Sequence, residues 1–265
     1  MSNHTTGAPA PEEHAGAPPI LALEDITWGV GGFTILSDVT LAVPAGQFLS
    51  VIGPNGAGKT SLLNVVSGLN RPRSGRVLLK GEDITRERPA TRVRRGLGRT
   101  FQTSSLFPNL TVKENVRLAA QAAQGGSHSI ILRPSTRDAA TRAGLSALDE
   151  VGLAARADDP VSELPHGDKR KLEIAVLLCS EPEVLLLDEP TAGVSAEEIE
   201  PLVEVVREVH AAGRTVVMVE HRIELVVDVS DRIAVTHNGR LLTTGAPAEV
   251  MADPTVQSAY LGEAA

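Results

Sequence analysis

The chain has few aromatic residues and almost no cysteine: one Trp, one Tyr, four Phe and one Cys in 265 residues. A single cysteine excludes an intramolecular disulfide framework. Cys179, inside the apolar run Ala175–Cys179, reads as a small core residue in a reducing compartment. The seven histidines are scattered without metal-ligand spacing, which argues against a zinc centre. No apolar run approaches the ~20 residues needed to span a bilayer. Residues 1–19 are Pro, Ala, Gly, His and Glu without an apolar centre, so they lack the pattern of a secretory signal. That segment is expected to be a disordered tail, and the chain to be cytoplasmic, with any membrane role exercised through a partner.

Excess positive charge is missing too. The formal net charge is −8, so the protein as a whole is not built to coat DNA or RNA. Arginines cluster at Arg86, Arg88, Arg92, Arg94, Arg95 and Arg99, but no aromatic residues interleave with them. They read as a solvated connector and helix face rather than a nucleic-acid patch. What is present is 42% hydrophobic residues, enough for one sizeable core and a smaller appended subdomain.

Chemistry enters at residues 53–61. The apolar run Phe48-Leu49-Ser50-Val51-Ile52 leads into Gly53-Pro54-Asn55-Gly56-Ala57-Gly58-Lys59-Thr60-Ser61, and Leu62-Leu63-Asn64-Val65-Val66 continues at helical spacing. A strand, a glycine-rich loop and a helix in that order make a phosphate cradle. Gly53, Gly56 and Gly58 let backbone N–H groups turn inward around a polyphosphate. Lys59 brings positive charge to the β- and γ-phosphates, and the Thr60 hydroxyl is placed to ligate Mg²⁺. The helix N-terminus adds partial positive charge. An ordinary tight turn would not need the Lys-Thr pair.

Periodicity supplies the setting. Leu21–Trp28 and Ile35–Val43 read as strands joined at Gly31-Gly32, followed by the phosphate-loop strand, its helix to about Leu69, and a strand over Arg76–Lys80. Residues 111–123 and 135–151 read as helices broken at Gly125-Gly126-Ser127, and a further helix runs from Asp168 to Ser180. Strands Val184–Asp188, Thr215–Val219 and Arg232–Thr236 then alternate with helices Ser195–Ala212 and Arg222–Val229. Apolar strands alternating with helices predict an α/β core, a mainly parallel sheet covered on both faces. Its catalytic core comprises residues 20–102 and 181–245, including an N-terminal antiparallel β-subdomain. Residues 103–180 form an inserted α-helical subdomain, and 246–262 are C-terminal helices.

Strand Val184–Asp188 ends in Asp188-Glu189-Pro190, at the edge where parallel sheets bind ligands. Asp188 is placed to hold Mg²⁺ and Glu189 to deprotonate an attacking water. Two acids in a turn would be unremarkable without the phosphate loop nearby. The next strand ends in Glu220-His221, and a histidine there reaches a γ-phosphate in the neighbouring site.

The ordered set of phosphate loop, Gln102, Leu164-Pro165-His166-Gly167-Asp168, Leu187-Asp188-Glu189-Pro190-Thr191 and His221 resembles the nucleotide-binding subunit of an ATP-binding cassette (ABC) transporter. The match runs over residues 20–262. Gly98-Arg99-Thr100-Phe101-Gln102, Leu106-Phe107-Pro108-Asn109-Leu110-Thr111-Val112 and Ala259-Tyr260-Leu261-Gly262-Glu263 resemble the subgroup that drives uptake of branched-chain amino acids, with relatives for urea and short amides. The helical insertion resembles the larger of its two ATPase subunits. The resemblance implies ATP and Mg²⁺ as ligands, with Gln102 sensing Mg²⁺ and the attacking water. It implies a head-to-tail pair with a second ATPase subunit, itself or a related chain, each site joining one phosphate loop to the other chain's signature. Two permease subunits and, indirectly, an extracytoplasmic solute-binding protein are further implied partners, and the place is the cytoplasmic side of the inner membrane.

Three positions depart from the family pattern. The signature, usually Leu-Ser-Gly-Gly-Gln, reads Leu164-Pro165-His166-Gly167-Asp168, and Pro165 offers neither a hydroxyl nor an N–H. Ser195 stands where the loop after the catalytic carboxylate usually ends in Asp. Val30 aligns with the aromatic that stacks on adenine, leaving Trp28 or Phe33 as substitutes. The rival classes fit less well. A ribosome- or DNA-acting cassette protein usually pairs two cassettes or carries a coiled-coil insertion. A GTPase needs an Asn-Lys-x-Asp element, which Thr236-His237-Asn238-Gly239 does not supply. The closest rival is a non-catalytic ATP-gated clamp, which could dispense with the Glu189 that is present here.

Overall fold

The computed structural model describes residues 18–100, 106–124 and 139–261. The expected tail up to residue 17, Gln102 and the Gly125-Gly126-Ser127 break lie outside the described residues. Strand β1 (Leu21–Val30) turns at Gly31-Gly32 into β2 (Phe33–Val43), in antiparallel register from Leu21 opposite Val43 to Val30 opposite Phe33. Strand β3 (Phe48–Ile52) then enters a different sheet and feeds helix α1 (Lys59–Ser67). The chain returns as β4 (Ser74–Leu79) and β5 (Glu82–Asp83), completing an antiparallel sheet in the order β2-β1-β4-β5. Ile26, Leu36, Val39 and Val77 from this sheet share one buried cluster with Leu62, Leu63 and Val66 of α1.

The remaining elements are α2 (Pro89–Arg94), β6 (Leu97–Arg99), α3 (Val112–Ala123), α4 (Ala139–Glu150), α5 (His166–Leu178), β7 (Val184–Asp188), α6 (Ala196–Ala211), β8 (Thr215–Val219), α7 (Ile223–Val229), β9 (Arg232–His237), β10 (Arg240–Gly245), α8 (Pro247–Ala252) and α9 (Pro254–Leu261). The second sheet runs β10-β9-β3-β8-β7-β6; all neighbours are parallel except β10, which pairs antiparallel with β9. Successive residues of β7 face opposite layers. Leu185 and Leu187 pack with the helices α3 to α6, while Val184 and Leu186 pack toward α1 and the antiparallel sheet. A strand sandwiched in this way needs no polar alternation, which is why its sequence is a continuous apolar run.

The helical layer between β6 and β7 begins where Thr111 caps α3. Its hydroxyl accepts from Glu114 N–H, and the Glu114 carboxylate accepts from Thr111 N–H. Helices α3 and α4 cross closely at Gly144, where a Cβ would stand 2.8 Å from Val116 Cγ2 and 3.1 Å from Arg117 N. Short elements escaped the sequence reading: β5, β6 and the antiparallel β10 offer too few residues or too mixed a pattern to show a period. Helix α1 stops at Ser67 because Gly68, at φ 82°, caps it. Helix α5 starts at His166 rather than at Asp168.

The arginine cluster requires a correction. Arg92 is only 1% exposed. Its guanidinium donates to the carbonyls of Val65 and Val66 at the end of α1, and to those of Thr85 and Glu87. The Arg99 side chain is 7% exposed. These two are interior cations that satisfy backbone carbonyls and carboxylates, whereas Arg88 and Arg94 remain on the surface.

Candidate active site

Parallel strands β3, β8 and β7 lie side by side and end at one edge, so the segments that follow them are neighbours. The first is the glycine loop. Gly53, at φ 152°, passes so close to β9 that a Cβ there would lie 2.1 Å from the Thr236 carbonyl oxygen. Ala57 N–H donates to Pro54 O, and Leu62 N–H to Gly58 O as α1 begins. Asn55 and Gly56 form the exposed crest, while Thr60 and Ser61 are half-buried. The Lys59 ammonium is buried under the loop and donates to the carbonyls of Gly53 (2.6 Å) and Pro54 (2.9 Å).

Asp188 ends β7 directly beside that helix start. Its Oδ1 is 3.5 Å from Thr60 Oγ1, and its Oδ2 accepts from Arg99 Nη2 at 2.9 Å. Arg99 in turn donates from Nη1 to Asn64 Oδ1 and Ser67 Oγ on α1. Burial pushes the Asp188 carboxyl above its ordinary range, opposed by the Arg99 guanidinium, and burial likewise lowers Arg99 from its usual value. Thr60 and Asp188 thus converge as hard oxygen donors. Among the described residues no group of three or more His, Cys, Asp or Glu could hold a metal by itself. Two protein oxygens supplemented by phosphates suit Mg²⁺.

Glu189 follows in a left-handed backbone conformation, φ 49°. Its N–H donates to Val219 O on β8, and its carbonyl accepts from Ala192 N–H, closing a turn. The Glu189 Oε1 lies 2.8 Å from His221 Nε2. Glu189 and His221 come from different strands, so this contact exists only because β7 and β8 are adjacent and in register, Asp188 opposite Val219.

Residues 36–192 match the family model described as "ABC transporter". The chain belongs to that family. As an ABC ATPase it is the ATP-binding, ATP-hydrolysing subunit of a transporter, and residues 240–265 also match a model described as "Branched-chain amino acid ATP-binding cassette transporter". It is 36% identical over 252 residues to the high-affinity branched-chain amino acid transport ATP-binding protein LivG of Escherichia coli K12, covering 93% of this chain and 99% of that protein. Over 239 residues it is 40% identical to the cobalt import ATP-binding protein CbiO of Rhodobacter capsulatus, covering 89% and 81% respectively. The ADP conformation of the ATP-binding cassette MJ1267 superposes with a TM-score of 0.82 at 30% identity, over 92% of this chain and 98% of that one. Among the described residues, no helix of this ABC ATPase is long and apolar enough to cross a membrane.

The segment expected to be the signature, Leu164–Asp168, lies at the start of α5. Leu164 is buried, Pro165 and His166 are exposed, and Gly167 is buried. Gly167 N–H donates to Glu198 Oε1 at 3.1 Å. Glu198 also accepts from Ser195 Oγ and N, so Ser195 serves as the cap of α6. The Ser195 hydroxyl, then the Gly167 N–H, hold the Glu198 carboxyl below the usual range. Asp168 is paired with Arg156, which offsets the negative charge that the sequence suggested at this position. In the antiparallel sheet Trp28 packs against the buried cluster, while Phe33 is 80% exposed and faces Val30 across the hairpin. Sequence reasoning missed Arg99, Glu198 and Glu220 as parts of this apparatus. Arg99 and Glu220 each adjoin a recognised motif, but nothing in the spacing of charges distinguishes a buried ion from a solvated one.

Proposed function

We propose that this subunit powers the uptake of branched-chain amino acids, with hydrolysis carried out by Glu189 and His221. The single observation behind the chemistry is the 2.8 Å contact between Glu189 Oε1 and His221 Nε2 at the edge bearing the phosphate loop. ATP phosphates bind over Gly53–Ser61, with backbone N–H groups and Lys59 facing the anion. Thr60 and Asp188, together with Gln102, would hold Mg²⁺, which supplies neutralising charge to the β- and γ-phosphate oxygens when bound. Glu189 accepts the proton of the attacking water, and His221 orients against the γ-phosphate while restraining the Glu189 carboxylate. Phe33, paired across the hairpin with Val30, offers its ring to adenine, since Trp28 is half-buried against the core.

The working unit is a head-to-tail pair. The signature Leu164–Asp168 of one chain completes the phosphate loop of the other, either a second copy or a related chain. Two permease subunits and a solute-binding protein complete the importer, with this chain on the cytoplasmic side of the inner membrane. ATP binding closes the pair, and hydrolysis with product release reopens it. The substrate class is supported by the match over residues 240–265 and by the LivG relative. The CbiO relative makes cobalt the competing cargo, and the sequence resemblance keeps urea and short amides as another. Uptake of labelled leucine, urea and cobalt into cells with and without the gene separates the three. Loss of cobalt or urea uptake with leucine uptake unchanged would overturn the amino-acid reading.

A further inference from the structure

Glu220 ends at the same edge as the reacting groups and is only 3% exposed. Its two carboxylate oxygens serve two different loops. Oε1 accepts from Thr191 N–H at 3.1 Å and from Thr191 Oγ1 at 2.5 Å, in the turn that follows Glu189. Oε2 accepts from His221 N–H at 2.9 Å, with Arg222 N–H at 3.5 Å. Each loop carries one partner of the Glu189–His221 contact, and each has its backbone donors tied to one oxygen of the same buried carboxylate. We propose that Glu220 is a positioning residue for hydrolysis, a staple that holds Glu189 and His221 in mutual register. This rests on the reading that those two residues act on water and γ-phosphate.

Geometry makes the role specific to a carboxylate. An amide at this position keeps one acceptor for Thr191 but turns N–H donors toward the His221 and Arg222 N–H groups, donor against donor. Glu220→Gln should therefore loosen the His221 side while leaving the Thr191 side in place. Thr191→Val keeps the β-branched shape and removes only the hydroxyl donor, loosening the opposite side. Neither change touches the phosphate loop. The effect belongs on the hydrolytic step, because a misplacement well below the size of an atom at a reacting pair slows chemistry without abolishing binding.

The test uses the full-length chain in its co-purified transporter complex, with Mg·ATP as the probe. Single-turnover hydrolysis and ATP affinity are measured for E220Q, T191V and the double variant, normalised to folded protein by thermal melting. The expected result is hydrolysis reduced by roughly tenfold or more in E220Q and by less in T191V, with ATP affinity within about threefold of wild type. The double variant should fall short of the product of the two, because both changes act through one carboxylate. Hydrolysis per folded molecule within about twofold of wild type in both variants would overturn the proposal, as would equal losses of affinity and turnover. Should E220Q not fold, T191V alone decides by the same criteria. E189Q and H221A run alongside as controls on the underlying reading. If those two hydrolyse ATP normally, that reading fails; if they are inactive while E220Q is normal, only the staple fails.

Discussion

Glu189 holds a left-handed backbone at φ 49°, a conformation that costs a residue with a Cβ about 1–3 kcal/mol and persists only where neighbours enforce it. Its N–H bond to Val219 and the turn closed by Ala192 do that enforcing, so the carboxylate is presented at His221 instead of trailing along the strand. Glu189→Gln should keep ATP affinity while single-turnover hydrolysis falls by about a hundredfold or more. Lys59→Ala should instead weaken ATP binding itself, because it deletes the ammonium held in the loop; equal affinity losses in the two variants would contradict separate roles. Arg99 carries the other residue-scale expectation. Its pair with Asp188 is buried, and removing one partner of such a pair costs about 3–5 kcal/mol. Urea unfolding of Arg99→Gln should show a loss of that order. Cys179 is the quiet counterpart: burial pushes its thiol up to about 12. Near neutral pH it therefore stays protonated, and its labelling by a thiol reagent should be as slow as opening of the fold.

Elements are held by side chains that reach beyond them. The C-terminal carbonyls of α1 find their donors in Arg92, a residue of α2. Arg92→Met keeps the apolar stem but leaves Val65 and Val66 carbonyls buried without those donors, a loss of roughly 2–4 kcal/mol readable as a lowered melting temperature. The segment before α3 works differently. Asn115 accepts from Phe107 N–H and donates to Phe107 O and Thr111 O, so the backbone is pinned while the Phe107 ring is 55% exposed. Leu106 packs against the core. Leu106 is therefore spoken for, and Phe107 is the exposed apolar side chain of this segment that a membrane partner could cover. Phe107→Ala should therefore leave the melting temperature of the isolated chain within about a degree or two. It should reduce the amount of permease that co-purifies; a clear fall in melting temperature would instead make the ring a stability element.

On the scale of the whole molecule, the residues proposed for hydrolysis, Glu189 and His221, meet at one sheet edge, while the proposed signature Leu164–Asp168 departs from the family pattern. Pro165 gives up a hydroxyl and an N–H at the position from which an ABC signature addresses a partner's γ-phosphate. The charge of Asp168 is met by Arg156, so the missing donor, rather than added negative charge, is the defect. A lost charge-assisted hydrogen bond is worth about 1.5–3 kcal/mol, or at least roughly tenfold. In a pair with a related chain bearing an ordinary signature, turnover should run mainly at this chain's own phosphate loop. Disabling the catalytic glutamate of each chain in turn, in the purified mixed transporter, checks this. Equal loss of turnover from either side would make Pro165 a tolerated variant.

The sequence by itself determined the parts that are local. The Gly53–Ser61 loop, the apolar strand ending in Asp188-Glu189, and the helix start at Thr111 each depend on neighbours within a few residues, and all were legible there. The Gly31-Gly32 hairpin and the mainly parallel core were legible too, but the edges of the sheet were not: β6 has three residues, and β10 joins antiparallel through long-range hydrogen bonds that leave no local period. Nor was the fate of the charges, since Arg92, Arg99 and Glu220 read like surface ions until the fold surrounds them. Burial and ion pairing depend on what packs across the sheet and arrives from distant sequence. The tertiary structure alone therefore decided that Arg99 grips Asp188, that Glu189 meets His221, and that a single carboxylate at Glu220 joins their two loops.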